Sequence, residues 1–282
     1  MQLLAPTAPR IIRGRTIDIL DVAAGHGLSR GFARVDPGDP VFFDHPLDHV
    51  PGILLAVASL EVAEHASMLE PDNTTFRLTF TKFCELHAPV EVTASRETVG
   101  TGWIEVVQSG RTIAHGLLTR RDTQPPMKLA PVPGLADGSI SGELVHRTNP
   151  RNIAIGPLTV NDGHVWTRVR ERCAIGGLSP QAGAVASILE AARQFAIAIL
   201  HRWGEQPLGI RMIFVGLTAD IPTAVPLGDV TRALSWQVTP PEQTRKLLID
   251  VHAVGDRASK VGSILMAIRC ADADEYAEVR AG

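Results

Sequence analysis

The chain repeats itself, and that limits its folds more than any single motif does. Each half runs through a short strand, a Pro/Gly turn, one long apolar helix and then a series of strands. Corresponding points lie roughly 130–145 residues apart, Val35 with Val169 and Arg77 with Arg211 among them. In the first half a strand at residues 31–35 precedes a helix at 51–66, and strands follow at 75–84, 90–97, 102–109 and 111–120. In the second half a strand at 164–170 leads through GGLSPQAG into a helix at 184–203, with strands at 210–217, 231–238, 247–254 and 260–270. Segments such as WIEVVQ and LLIDVHAV alternate in polarity, which suits antiparallel sheet with one face covered and one in solvent. A helix apolar all round then has one economical place, against the covered face of such a sheet. The expected fold class is α+β, two tandem halves each with a long central helix on a curved antiparallel sheet.

Between the halves, residues 121–142 hold Pro125, Pro126, Pro131 and Pro133 and show neither helical nor strand periodicity. The domains expected are 1–124, a Pro-rich linker at 125–140, and 141–282. With 282 residues, 45% of them hydrophobic, the chain is large enough to bury a core without disulfide or metal staples. Cys84, Cys173 and Cys270 lack CxxC or metal-ligand spacing, so a reduced, cytoplasmic setting is expected and no metal. The 27 basic residues are fewer than the 30 acidic ones and form no block, which argues against nucleic acid as a partner. The opening MQLLAPTAPRIIRGR lacks the apolar run of a leader. The longest apolar stretch, 182–200, is interrupted by Glu190, Arg193 and Gln194, so no membrane span is expected.

Three segments carry a family likeness. Residues 42–55 read FFDHPLDHVPGILL, residues 144–150 read LVHRTNP, and residues 188–194 read ILEAARQ, followed by QPLG at 206–209. Together they resemble the A-factor (γ-butyrolactone) biosynthesis hotdog family, and the resemblance spans both halves. It implies a tandem, or double, hotdog acting on acyl chains tethered to carrier protein. The DHPLDHVPG repeat comes first here, and Val57, Leu60 and Glu61 stand where the second half has Glu190, Arg193 and Gln194. The same segment is similar, more loosely, to 3-hydroxyacyl carrier-protein dehydratases, in which a histidine of one hotdog faces a glutamate of another. Here the first half has the histidine and the second the glutamate, so one chain can assemble one composite site.

The residue chemistry fits that implication. His45 and His49 lie in DHPLDH, where Pro46 and Pro51 exclude a regular helix and with it a helical i, i+4 metal pair. A turn presenting a base suits the segment better, with Asp44 or Asp48 setting the tautomer. Pro51-Gly52 opens the first helix, and the Gly52 amide is placed to hold a thioester oxygen. Glu190 lies in an apolar helix, where burial is expected to raise its pKa and fit it for general acid work, unless Arg193 one turn along pairs with it. Arg147, Asn149 and Arg151 are candidates to meet a phosphopantetheine phosphate.

The sequence therefore points to a dehydratase converting a carrier-bound 3-hydroxyacyl chain to its 2-enoyl form, in polyketide- or fatty-acid-like biosynthesis. His45, Glu190 and Gly52 carry the chemistry, with His49, Asp48, Arg193 and Gln194 in support and no cofactor. The partner is acyl carrier protein (or the substrate an acyl-CoA), and the chain works as a monomeric pseudo-dimer or a homodimer. Two alternatives stand beside this reading. One is an acyltransferase joining a 3-oxoacyl group to a glycerol-derived phosphate, and the other is a non-catalytic acyl- or partner-binding module.

Overall fold

The computed structural model describes residues 10–21, 27–69, 74–120, 129–130, 134–170, 175, 177–221, 231–240, 245–255 and 257–281. The first half contributes β1 (Arg10–Arg13), β2 (Ile17–Asp21), β3 (Leu28–Ala33), α1 (Gly52–His65), β4 (Thr74–Phe80), β5 (Val90–Thr98), β6 (Thr101–Gln108) and β7 (Arg111–Arg120). A two-residue strand, β8 (Leu129–Ala130), follows. The second half contributes β9 (Thr159–Asn161), β10 (His164–Arg168), α2 (Pro180–Arg202), β11 (Arg211–Ile221), β12 (Thr231–Gln237), β13 (Lys246–Val254), β14 (Ala258–Ala271) and α3 (Ala273–Ala281).

All strands join one antiparallel sheet of order β1-β2-β3-β5-β6-β7-β4-β11-β14-β13-β12-β10-β9, with β8 beside β14. Read outward from the β4–β11 pair the order matches in both directions: β7, β6, β5, β3, β2 on one side and β14, β13, β12, β10, β9 on the other. The seam runs from Thr74 opposite Ile221 to Thr79 opposite Gly216. It joins the two halves edge to edge, and α1 and α2 pack side by side across it. This is the double hotdog.

The helices take the place that their composition demands. Every residue of α1 from Ile53 to Ala63 is buried, and α2 is buried from Ala184 to Leu200 apart from Ser187 and Arg193. By length and composition α2 also passes as a membrane span, contrary to the sequence expectation, but its hydropathy is accounted for by burial under the sheet. It starts four residues earlier than periodicity suggested. Ser179 caps it by accepting from the Ala182 amide at 3.1 Å, and Pro180 occupies the first turn.

Three further differences from the sequence reading concern short or irregular elements. β1 and β2 extend the sheet at one edge, and α3 follows β14 with no buried residue. Within the Pro-rich segment, Leu129–Ala130 pairs with Ser259 and Ala258 rather than running free; residues 121–128 and 131–133 lie outside the described residues. β11 has a one-residue irregularity between Phe214 and Gly216. Beyond it Leu217, Ala219 and Ile221 face the core, whereas before it the even-numbered Met212 and Phe214 turn toward the site.

Candidate active site

The DHPLDH loop enters α1 and meets the second half at a cavity of about 110 Å³. Phe42, His45, His49, Gly52 and Ile53 line it from the first half, and His146, Arg147, Arg193, Met212 and Phe214 from the second. The two aspartates of the loop fix its ends differently. Asp44 reaches across to the LVHRTNP segment, accepting from Thr148 Oγ1 at 2.7 Å and from the Asn149 amide at 2.9 Å. Asp48 bonds to His49 Nδ1 and to the Tyr276 hydroxyl, each at 2.7 Å. Partial burial opposes the Asp48 charge, but those bonds and Arg280 outweigh it and hold its pKa below the ordinary value.

His45 stands between these anchors. Its Nδ1 is buried and has no hydrogen-bond partner among the described residues. Burial, then the positive charges of Arg193 and Arg147, lower its pKa, outweighing Asp44 and Glu190. The imidazole is neutral at pH 7, the form in which it can accept a proton.

Gly52 opens α1 behind Pro51, and its amide is among the four donors that a helix start leaves without an intrahelical partner. A β-carbon here would sit 2.9 Å from Phe214 Cδ1 and 3.3 Å from Phe80 Cζ, so only glycine lets the two rings close over the helix start.

Glu190 departs from the expectation. Its carboxyl is almost fully buried, and Arg147 Nη2 reaches Oε1 at 2.5 Å while Arg193 Nε reaches Oε2 at 2.8 Å. Gln194 Nε2 adds a bond at 2.6 Å. Burial pushes the pKa up, but the two guanidiniums outweigh it and bring it down to about 2. The carboxylate is ionised at neutral pH, so it is not the raised-pKa acid expected from an apolar helix. It also lies behind the arginines, which line the cavity where it does not. The missing information was Arg147, which arrives from a loop 43 residues away.

The other candidates divide between site and scaffold. Arg193 spends Nε and Nη2 on Glu190, leaving Nη1 as the donor not engaged by that carboxylate. Gln194 Oε1 accepts from the Ala154 amide at 2.8 Å, while its amide group also bonds Asn152 O. Glu61, the matching position on α1, accepts from the Arg15 and Thr16 amides at 2.7 Å each. Both side chains therefore pin the segment leading into a strand of their own half. Asn149 is spent capping Arg151 N at 3.0 Å, and Arg147 is buried. Of that trio only Arg151 remains an exposed candidate for a phosphate.

Two histidines were missed from sequence. His146 lines the cavity and His201 lies behind it, with Nε2 to Nε2 at 3.0 Å. His146 is held neutral, its pKa lowered to about 4 by burial, then by His201, Arg193 and His45. The signal available was the HR pair in LVHRTNP; nothing local linked it to the end of α2.

No family model matches the chain. A 2-oxo-3-(phosphooxy)propyl 3-oxoalkanoate synthase from Streptomyces virginiae is 40% identical over 91 residues, a match covering 32% of this chain and 31% of that protein. Among solved structures, the dehydratase domain from the CurK module of the curacin polyketide synthase superposes with a TM-score of 0.61 at 14% identity, over 96% of this chain and 100% of that one. The CurF dehydratase domain gives 0.59 at 10% identity, over 94% and 98%. The erythromycin dehydratase gives 0.58 at 14%, over 93% and 98%. Both resemblances read from the sequence recur here, one in sequence over a third of the chain and one in fold over nearly all of it.

Proposed function

We propose that this chain is an enzyme of acyl thioesters whose preferred reaction removes water from a 3-hydroxyacyl chain to give the 2-enoyl form. The carrier is acyl carrier protein with its phosphopantetheine arm, or CoA. One observation carries the reading: a neutral His45 with an unpartnered ring nitrogen shares a cavity with a helix-start amide and a guanidinium from the opposite half. His45 takes the C2 proton, and the Gly52 amide holds the thioester oxygen as enolate charge develops. Arg193 lines the pocket, Glu190 orients the two guanidiniums, and Gln194 in turn holds Glu190. His49 and Asp48 shape the mouth. The fold shared with polyketide synthase dehydratase domains supports this reading. Because Glu190 is ionised, the proton for the departing hydroxyl comes from an imidazole.

The test is intact-mass analysis of a panel of 3-hydroxyacyl carrier thioesters incubated with the protein. Loss of one water on at least one chain length is expected; none on any chain length overturns the proposal.

A second reading is favoured by the two arginines at the cavity and by the Streptomyces virginiae relative, which is named for a phosphorylated three-carbon ester of a 3-oxoalkanoate. In that case a 3-oxoacyl group passes from the thioester to a hydroxyl of a glycerol-derived phosphate. The same assay with that acceptor reveals a phosphorylated carboxylic ester together with the free carrier or CoA thiol. Either way, both halves of the site lie in one chain, which suits a working monomer. We further propose domain bounds at 1–124 and 141–282 and a cytoplasmic location, the latter in keeping with the free thiols Cys84 and Cys270.

A further inference from the structure

We propose that His146 is a second proton-transfer residue of the pocket and that His201 behind it carries the charge of the transferred proton. The inference rests on the dehydration reading and supplies the acid that Glu190 does not.

In the uncharged pair, hydrogen-bond direction fixes the tautomers. His201 Nδ1 lies 2.9 Å from the carbonyl oxygen of Gln206, which only accepts, so Nδ1 carries hydrogen. In the neutral ring Nε2 is then the acceptor, and the 3.0 Å contact requires hydrogen on His146 Nε2. His146 Nδ1 is left as the bare nitrogen. When a proton arrives at His146 Nδ1, the hydrogen on His146 Nε2 can pass to His201 Nε2. His146 ends neutral with hydrogen on Nδ1, and the positive charge sits on His201.

The surroundings favour that division. His146 has His45 and Arg193 as charged or chargeable neighbours, which oppose a cation on its own ring. His201 belongs to the last turn of α2, the helix end where positive charge is favoured. His146 also holds a left-handed backbone, φ 51°, at the close of the turn Gly142–Val145, uncommon for a residue with a side chain. That conformation is kept where the ring meets both the cavity and His201.

In the loaded pair, which has taken one proton from solvent, His201 holds hydrogen on both nitrogens and His146 holds one on Nδ1. His45 removes the C2 proton as the C3–O bond breaks. The departing oxygen takes the proton from His146 Nδ1, and His146 Nε2 recovers hydrogen from His201 Nε2. The products are the 2-enoyl thioester and water. His45 then releases its proton to solvent and the pair reloads from it.

The experiment compares wild type, His146→Gln and His201→Gln in the full chain, with nitrogen-15 NMR of the resting protein alongside. Glutamine at 201 can still accept from His146 Nε2 but cannot hold a second proton. We expect kcat to fall about 100-fold or more for His146→Gln and at least ~10-fold for His201→Gln, with KM changed less than about twofold. We expect NMR to show His146 with hydrogen on Nε2 and His201 with hydrogen on Nδ1 at neutral pH. An active wild type with an unimpaired His201→Gln overturns the relay alone, as does hydrogen on His146 Nδ1 while His201 carries hydrogen on one nitrogen only, whatever the assay shows. A wild type without turnover overturns the dehydration reading and the relay with it.

Discussion

His45 and Glu190 come from opposite halves, and substitution is expected to act on them in different ways. His45→Ala removes a half-buried loop side chain, so the thermal midpoint should hold while turnover falls about 100-fold or more, read by the same mass assay. His49→Ala should cost less activity, because His49 is engaged by Asp48 and the Phe83 ring rather than left open to a substrate. The reverse order of severity would make His49 the base. Glu190→Gln is expected to be structurally costly. It leaves two arginines without their shared counter-charge, and breaking a buried pair costs about 3–5 kcal/mol, measurable by urea unfolding. The pH dependence has a definite sign. The folded pKa of Glu190 lies below that of the unfolded chain, so its contribution to stability is complete above about 4.5 and is lost as pH falls toward about 2. Acid unfolding of wild type within that window, absent as a distinct component in Glu190→Gln, is the expected result.

At the scale of elements, α1 and α2 were readable from sequence because a long helix buried on all sides leaves an unmistakable composition, and β6 and β14 because alternation is local. β1, β2 and α3 were not. α3 buries nothing, so it leaves no periodic trace, and its place is set by Tyr276 and Arg280 meeting Asp48 and Glu85 more than 190 residues away. The β11 irregularity is similarly silent in sequence, yet it decides that Met212 and Phe214 line the cavity. The site was legible as far as its residue types were; Arg147, His146 and His201 gain their roles only from contacts between segments. Two outcomes follow for elements. Gly52→Ala places a β-carbon against Phe214 and Phe80 and should cost about 1–3 kcal/mol by overpacking, with turnover lost as the rings are forced into the cavity. Removal of residues 273–282 should leave the unfolding midpoint nearly unchanged, since α3 buries no side chain. It should nevertheless raise KM by loosening Asp48 and His49, which steady-state kinetics on a carrier-bound substrate would show.

For the whole molecule, the mirrored strand order predicts two crevices, of which one is equipped. In the second, where the Ser179 turn meets α1, the described polar groups are committed: Ser179 bonds Glu64, Glu61 takes two backbone amides, and Val57 sits where the other helix has Glu190. Val57→Glu should lower stability by roughly 1–3 kcal/mol without adding activity, because a carboxyl would enter a fully buried position. The hydrogen-bonded seam of β4 and β11 has a further consequence. Where separate subunits must find one another, a shared pocket is a matter of mass action and is lost on dilution. Here the two walls are covalently tethered, so each sees the other at a fixed local concentration however few molecules are present. Turnover per molecule should stay constant as the protein is diluted from micromolar to picomolar.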